Sequence, residues 1–468
     1  MADRPRPGDP PPSTEILVVG GGIAAYCAAL AARQAGAAVT LIDRAPPALR
    51  GGNARHSRNL RLAHAAPSRL SPGCYRPDEF VADLARASHG LGDLDLARRL
   101  ADGSTELPDW LERQGVRFEE PAAGALPYSR KTAFFLGGGK AMINALSRRA
   151  AALGVAAHQD TMALRVGLDS ARPYRLPLCI GERSTTIDAR AVILACGGYQ
   201  ANPAWLAETW GAAADNFIVR GLPQVTGELL RDLFEHGAAS TGVPGACHLV
   251  AVDARSPPAD GGIVTRIDGL SWGLVLDRDG RRFLDEAAEL SPRRYSVWGR
   301  QLARCPGGIA FLILDAEGQT RTTPSLYPPI TAPTLAELAQ TLDLPVAAVE
   351  RTVSDYHGAR HPDDRDGGHT EGLDPPKSRR ARPLCRPPFA AWPMAPGITF
   401  TSHGIQVDTA ARVMRRDGRP FPSLFAAGMI MAPAILGTGY LAGAALTIGA
   451  VFGRLAGEQA ARDVRTRH

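Results

Sequence analysis

Glu15-Ile16-Leu17-Val18-Val19-Gly20-Gly21-Gly22-Ile23-Ala24-Ala25 is the stretch that decides the fold. Its first five residues are a short, largely apolar run closed by three glycines, the pattern of a buried parallel strand. An alanine-dense helix is predicted over residues 23 to 35, stopped by Gly36 at a C′ position, and a second strand over 38 to 42 ends at Asp43. Gly20, Gly22 and Ala25 fit the spacing GxGxxG/A. Gly20 permits the tight turn, Gly22 lets the backbone approach a pyrophosphate, and Ala25 lets helix and strand pack closely. The helix N-terminus turns free N–H groups and a positive dipole end toward phosphates, and Asp43 can accept hydrogen bonds from a ribose diol. Strand, glycines, helix, strand and acid together predict a Rossmann-like dinucleotide-binding unit. The motif alone leaves NAD and FAD both open.

Working outward, residues 191 to 195 form another strand-like run that ends at Gly197-Gly198. Before it come Gly137-Gly138-Gly139, a helix over about 140 to 153, and a predicted β-ribbon over about 155 to 190. From about 240 to 390 prolines and turns become frequent, and helix starts stand at Thr334 and Pro345. Strand and helix patterning resumes near 395 and ends in a small-residue-rich helix over 442 to 461. The expected organisation is a disordered Pro-rich tail over 1–13, a nucleotide-binding domain from 14–240 and 391–468, and an inserted domain over 241–390. The fold class is α/β, with an α+β inserted domain.

Composition narrows the function classes. The 468 residues hold 53 basic and 47 acidic side chains, a net charge of only +6. Lysine occurs only at 131, 140 and 377, and the arginines are scattered, which argues against nucleic acid or a membrane surface as partner. The start has no secretory pattern, and no run approaches ~18 apolar residues, so a cytoplasmic chain without a membrane span is expected. Seven dispersed cysteines without a CxxC predict reduced thiols and no metal site.

Arg50-Gly51-Gly52-Asn53, continuing through Ala-Arg-His-Ser-Arg-Asn-Leu to Arg61, resembles the flavin-contacting loop of the fumarate reductase and succinate dehydrogenase flavoprotein family, most closely its tricarballylate dehydrogenase branch. The likeness continues through Gly261-Gly262-Ile263-Val264-Thr265-Arg266, Arg282-Phe283-Leu284-Asp285-Glu286, Arg293-Arg294-Tyr295, Pro396 to Thr401 and Gly437-Thr438-Gly439-Tyr440, and closes on Phe452 to Glu458. It implies FAD as cofactor, a flavin domain built from both chain ends and a capping domain between them, with substrate at their junction. FAD contacts are implied at Arg44, Gly51, Gly52, Asn53, Gly197, Gly198, Gly428, Met429, Ala444, Ala445 and Leu446. In the succinate dehydrogenase branch a loop histidine carries FAD covalently. The matching residue here is Asn53, so noncovalent FAD is expected, with His56 an ordinary loop histidine.

Dehydrogenating a CH–CH unit beside a carboxylate requires a hydride acceptor, a group that handles the α-proton, and donors for the developing enolate-like charge. The resemblance assigns the first to flavin. It gives His248 and Thr265 a carboxylate or carbonyl oxygen, makes Thr401 a further donor, and matches Arg294 to the proton-donating arginine of fumarate reductases. Phe400 stands where those enzymes have a substrate histidine, Tyr440 where they have a clamping arginine, and Arg266 and Gly269 where they have the Glu and Arg of a proton relay. Thr438 replaces an expected lysine and Met429 a ribityl-binding glutamate. A two-carboxylate clamp is therefore not expected; Phe400 and Tyr440 are shared with the tricarballylate branch, and a tyrosine near Tyr440 is similar to that of 3-ketosteroid dehydrogenases. Arginine is a good acid and a poor base, whereas Tyr440, with a reference pKa of ~10, can be lowered by a cation, so both stay open for the proton. Arg58, with Arg55 and Arg61, faces either an anion or solvent. The expected activity is FAD-dependent dehydrogenation, or the reverse reduction, of a small carboxylate such as tricarballylate, with a membrane-linked electron acceptor implied. Desaturation of a cyclic ketone or another biosynthetic oxidation, and an electron-transfer subunit of a redox complex, remain as alternatives.

Overall fold

Ser13–Val19 runs parallel to Val39–Ile42 on one side and to Arg183–Leu194 on the other, which is why its residues 16 to 19 are apolar and buried on both faces. The computed structural model describes residues 9–120, 130–168, 172–290, 294–361 and 367–466; residues 1–8 of the proline-rich start, and Arg293, lie outside them. The sheet continues with Pro420–Ala426 and Arg412–Met414 beyond Arg183–Leu194, and with Ala156–His158 beyond Val39–Ile42. Thr161–Ala163, Tyr174–Ile180 and Arg183–Leu194 form the predicted antiparallel ribbon. Ala156–His158, expected within that ribbon, instead extends the parallel sheet, because the helix Gly138–Ala152 brings it alongside Val39–Ile42. Disorder up to residue 13 is also corrected. Asp9 pairs with Arg183, and the Pro12 carbonyl accepts the Asp188 N–H at 2.9 Å, so the ladder is already running when Ser13 opens the strand.

The chain divides into two units, the first comprising residues 1–209, 221–247 and 400–468 and the second 210–220 and 248–399. In the first, the helix Ile23–Gln34 packs along the C-terminal helix Ala444–Thr466 at backbone contact distance. A Cβ added at Gly453 would stand 2.4 Å from the Ala24 carbonyl oxygen, and one at Gly457 would stand 2.2 Å from that of Ala28. These glycines therefore serve approach and do not end the helix. It starts at Ala444, two residues later than expected, and runs on to Thr466 because Ala460, Ala461 and Val464 are still buried.

In the second unit, Ala310–Leu314 pairs antiparallel with Leu274–Leu276 and with the Ala390–Met394 part of the strand Phe389–Ile405. Both faces are covered, so these strands read as unbroken apolar runs. Leu274, Leu276, Phe311 and Ile313 pack with Leu338, Val349 and Val353 of the helices Leu335–Thr341 and Val346–Gly358; Val275, Leu312 and Leu314 pack with Ile267, Trp298 and Leu302. Ile218–Val219 pairs with Gly397–Ile398, which draws the short segment 210–220 into this unit without any change of composition to mark it. Glu286 accepts two hydrogen bonds from Arg282, at 2.9 and 2.7 Å, and lies 3.5 Å from the fully buried Lys377 ammonium, which donates to the Gly273 carbonyl at 2.6 Å. Among the described residues no helix is long and apolar enough to cross a membrane.

Gly453→Val tests the helix contact, because no rotamer moves a Cβ away from a backbone carbonyl. Overpacking of this kind costs about 3 kcal/mol. Thermal melts followed by flavin fluorescence should show release at a lower temperature, and an unchanged midpoint would contradict the packing described.

Candidate active site

At the N-terminus of the helix Ile23–Gln34, Gly22 is the N-cap and no side chain caps it. The first hydrogen bond of the helix runs from Tyr26 N–H to the Gly22 carbonyl, leaving the N–H groups of residues 23 to 25 pointing outward. A Cβ at Gly22 would meet nothing nearer than the Gly51 carbonyl oxygen at 3.8 Å, the open approach a pyrophosphate needs. Gly21, the unassigned x of the motif, is as constrained as its neighbours: a Cβ there would lie 1.8 Å from Asp43 Oδ2. The Asp43 carboxyl is buried; Oδ1 accepts the Ala45 N–H at 3.2 Å, while Oδ2 has no hydrogen-bond partner among the described residues. Burial pushes its pKa up to about 6, the Ala45 N–H opposing and Asp160 adding to the shift. An orphaned acceptor at the end of the second strand fits the diol of a nucleotide ribose. Ala25 is buried in the helix–sheet contact, and Arg44 turns away to donate to Thr226 at 2.6 Å and Glu228 at 2.8 Å.

The loop Gly51 to Ser57 faces this helix end. Gly51 and Gly52 take positive φ of 120° and 55°, and Gly52–His56 coils into a 3-10 turn. Behind it stands the helix Gly138–Ala152. Gly139 N–H donates to the Ser57 carbonyl at 2.6 Å, a Cβ on Gly139 would strike the Ala54 carbonyl at 2.0 Å, and Arg50 donates to Asn144 at 2.9 Å. Gly139 and Asn144 were not among the expected site residues, though the glycine triplet at 137–139 marked the spot. Asn53 Oδ1 accepts the Leu222 N–H at 3.1 Å. Gly428, at φ +81°, packs against Ala24 and opens the turn Gly428–Ile430 holding half-buried Met429, and Ala444, Ala445 and Leu446 form the first turn of the C-terminal helix.

Gly197 and Gly198 follow the strand Arg183–Leu194. Thr401 is fully buried against Gly198 and its hydroxyl accepts the Tyr199 N–H at 3.2 Å, so it anchors this turn. Its neighbour Phe400 stacks on Tyr440, ring centroids 6.5 Å apart at 26°, with Tyr440 40% exposed. Arg61 is not exposed, and the anion it faces is a carboxylate of the protein itself. It is buried, donating to Tyr75 at 2.9 Å, to Asp83 at 3.0 Å and to the Ala442 carbonyl at 3.1 Å, so it ties the strand Asn59–Arg61 to the segment that follows Tyr440. Arg55 donates to the Ala48 carbonyl, and exposed Arg58 lies over Phe134 at 5.6 Å.

In the second unit, His248 is buried and its pKa is pushed down to about 3 by burial and then by Arg220 and Arg300, so at neutral pH it is an uncharged imidazole. Arg220 donates to the Gly262 carbonyl at 3.3 Å and to Thr399 at 2.7 Å; Thr265, also buried, donates to the same Gly262 carbonyl at 3.4 Å. Arg220 carries no motif and escaped the sequence reading. Arg294 opens the helix Arg294–Leu302, with its guanidinium donating to the Leu290 carbonyl at 2.9 Å and to the Tyr295 hydroxyl at 2.7 Å.

Residues 15–446 match the FAD_binding_2 family, described as an FAD binding domain. The chain is 28% identical over 473 residues to the probable fumarate reductase Ifc3 of Shewanella frigidimarina, covering 97% of this chain and 76% of that protein. It is 24% identical to the digoxin reductase of Eggerthella lenta, covering 96% of this chain and 87% of that protein. Its fold is similar to the open conformation of a flavocytochrome c3 fumarate reductase, with a TM-score of 0.78 at 24% identity over 97% of this chain and 79% of the other. The same holds for 3-ketosteroid-Δ4-(5α)-dehydrogenase from Rhodococcus jostii RHA1, with a TM-score of 0.67 at 22% identity over 96% and 97%. An open helix N-terminus, an orphaned ribose acceptor and a match running from the first strand into the last helix together show that the chain belongs to the FAD_binding_2 family, as an FAD-dependent oxidoreductase.

Proposed function

We propose that the protein interconverts a saturated carbon–carbon bond and its α,β-unsaturated form in a small carboxylate, with tricarballylate the leading substrate. FAD, held noncovalently, supplies the two-electron chemistry. Gly20 to Ala25 would hold its phosphates, Asp43 its ribose, and Gly51 to Asn53 would line the same site. Relatives named for fumarate, acrylate and digoxin reduction support a C=C bond as the reacting group.

The observation that carries the reading is the fixed guanidinium of Arg294. A cation held by hydrogen bonds to Leu290 and Tyr295 keeps its proton until a carbanion-like carbon needs it, and favours the charge that builds at that carbon. In the reducing direction Arg294 gives an N–H proton to the α-carbon and is left as the neutral guanidine; the oxidising direction is the reverse of that step and starts from the neutral guanidine. Neutral His248 offers one donor to a carboxylate or carbonyl oxygen, and Thr265 sits on the turn that also receives Arg220. A second reading, oxidation of a cyclic ketone, is favoured by the Phe400–Tyr440 stack, whose part-exposed ring suits a flat ring better than a second carboxylate.

Anaerobic tricarballylate should bleach the yellow holoenzyme. Bleaching by 4-androstene-3,17-dione instead would transfer the assignment to the ketone. Arg294→Ala should retain FAD and slow bleaching by about 100-fold or more, while Tyr440→Phe stays within a few-fold; the reverse pattern gives the proton to Tyr440.

FAD affinity should also depend on pH through Asp43. Ribose hydroxyls donating to the carboxylate favour its ionised form, so the complex binds fewer protons than the free protein, whose Asp43 titrates at about 6. Affinity should therefore fall as pH drops below about 6, by at most about tenfold per pH unit, and be flat above it. Fluorescence titrations at pH 5 and 7.5 check this, and an equal slope in Asp43→Asn would remove Asp43 from the role.

A further inference from the structure

Residues 437 to 443 carry Tyr440, and glycines bring this turn against two other parts of the first unit. Gly437 takes a positive φ of 53°, and a Cβ there would stand 2.9 Å from the Leu91 Cβ and 3.0 Å from the Ser88 carbonyl oxygen. A Cβ at Gly439 would collide with the Ala87 carbonyl oxygen, so the turn rests on the C-terminal end of the helix Pro77–Ala87. Further on, a Cβ at Gly443 would stand 2.7 Å from the Arg61 nitrogen, whose N–H donates to the Gly443 carbonyl at 3.3 Å and to the Thr447 hydroxyl at 3.0 Å. The Arg61 side chain adds a third bond, its Nε donating to the Ala442 carbonyl at 3.1 Å. Its Nη1 donates to Asp83 Oδ2 at 3.0 Å and to the Tyr75 hydroxyl at 2.9 Å. Asp83 belongs to the same helix; its Oδ2 also accepts from Tyr75 and from Lys131, each at 2.7 Å, and its Oδ1 accepts from Arg86. The Arg61 and Asp83 side chains are only 8% and 9% exposed, so this ion pair is shielded from water. The helix therefore braces the turn twice, at Gly439 through Ala87 and at Ala442 through Asp83 and Arg61, and Tyr440 lies between the two points.

We propose that Arg61 and Asp83 are positioning residues for Tyr440: the pair fixes how the Tyr440 ring projects from its turn, and through the ring it selects which substrates fit beside it. Replacing a buried ion pair by apolar side chains of similar volume is often neutral for stability, so packing alone does not call for charge here; what charge adds is direction. A guanidinium presents its Nε and Nη donors in a rigid fork, so one group bonds Ala442 and Asp83 at once, whereas an ammonium on a flexible stem is a single point of charge. With the turn held on both sides of it, the Tyr440 ring stands 40% exposed and stacked on Phe400. Loosening the Ala442 end frees the ring to leave Phe400. The consequence for turnover rests on the reading above in which substrate meets the Tyr440 ring; the positioning itself does not.

The test uses the FAD-loaded protein labelled with 3-fluorotyrosine and read by 19F NMR, the Tyr440 signal being the one lost in Tyr440→Phe. Arg61→Lys keeps a cation beside Asp83 and gives up the Ala442 bond, while Asp83→Asn gives up the charge that holds the guanidinium. In both, the Tyr440 signal should move toward that of free 3-fluorotyrosine. Lys131→Met takes another cation from Asp83 without touching the Arg61–Ala442 bond, and should leave the signal in place. An unmoved signal in Arg61→Lys, or an equal movement in Lys131→Met, overturns the proposal whatever the substrate proves to be. With whichever of tricarballylate and 4-androstene-3,17-dione bleaches the flavin, Arg61→Lys should raise KM about tenfold while kcat stays within a few-fold. A moved signal with KM unchanged refutes the role in substrate selection. If neither compound bleaches the flavin, the reading of the reaction fails and the 19F signal alone decides the positioning.

Discussion

A carboxyl group buried beside a glycine it almost touches is the constraint around which the first unit is arranged. Asp43 cannot move off Gly21 without leaving the end of its strand, and no side chain in the described residues satisfies its Oδ2. Its folded pKa is raised from 3.8 to about 6, so the contribution of Asp43 to the stability of the bare fold is larger at pH 4 than at pH 7 and is lost as pH climbs through that window. A rise of that size corresponds to about 3 kcal/mol at neutral pH. Hydrogen bonds from a ribose diol offset that cost. The strain that binding relieves is thus built into the same turn that presents the helix N-terminus to the phosphates, and the glycines of Ala444–Thr466 keep that helix from shifting.

The second unit separates fixed charge from neutral polarity. His248 is stripped of its proton by burial and by Arg220 and Arg300, so the charge near it is carried by permanently cationic guanidinium groups. Guanidinium groups keep their charge when partly buried and accept directional carbonyl and hydroxyl partners, which an ammonium does less well. That explains how a chain with three lysines places one of them, Lys377, out of the site altogether, fully buried beside Glu286.

Legibility followed the range of the interaction. The nucleotide-binding turn was readable because strand, glycines, helix and acid are adjacent in sequence and each residue type has one local task. The turn at Gly51–Asn53 was readable by resemblance. What the sequence concealed depends on distant partners. Arg61 looks like its neighbours Arg55 and Arg58 until Tyr75, Asp83 and Ala442 are brought to it. Arg220 follows a two-residue strand whose pairing with Gly397–Ile398 has no local signature. Thr401 resembles a substrate donor in alignment, yet it is fully buried, and its hydroxyl receives a backbone N–H. The start of the ordered chain was misplaced because a proline-rich composition says nothing of the ladder that Pro12 joins with its carbonyl.

The departures from the fumarate reductase pattern are coupled. By the resemblance, Phe400 and Tyr440 stand where a histidine and a clamping arginine are expected, and the two rings stack with their apolar faces together. Arg266 and Arg294 both lie against the Tyr295 ring, and two bare guanidinium groups so placed would repel each other. Two substitutions of local chemistry prevent this: Tyr295 lies between the guanidinium groups, and Asp268, two residues beyond Arg266, draws its charge aside.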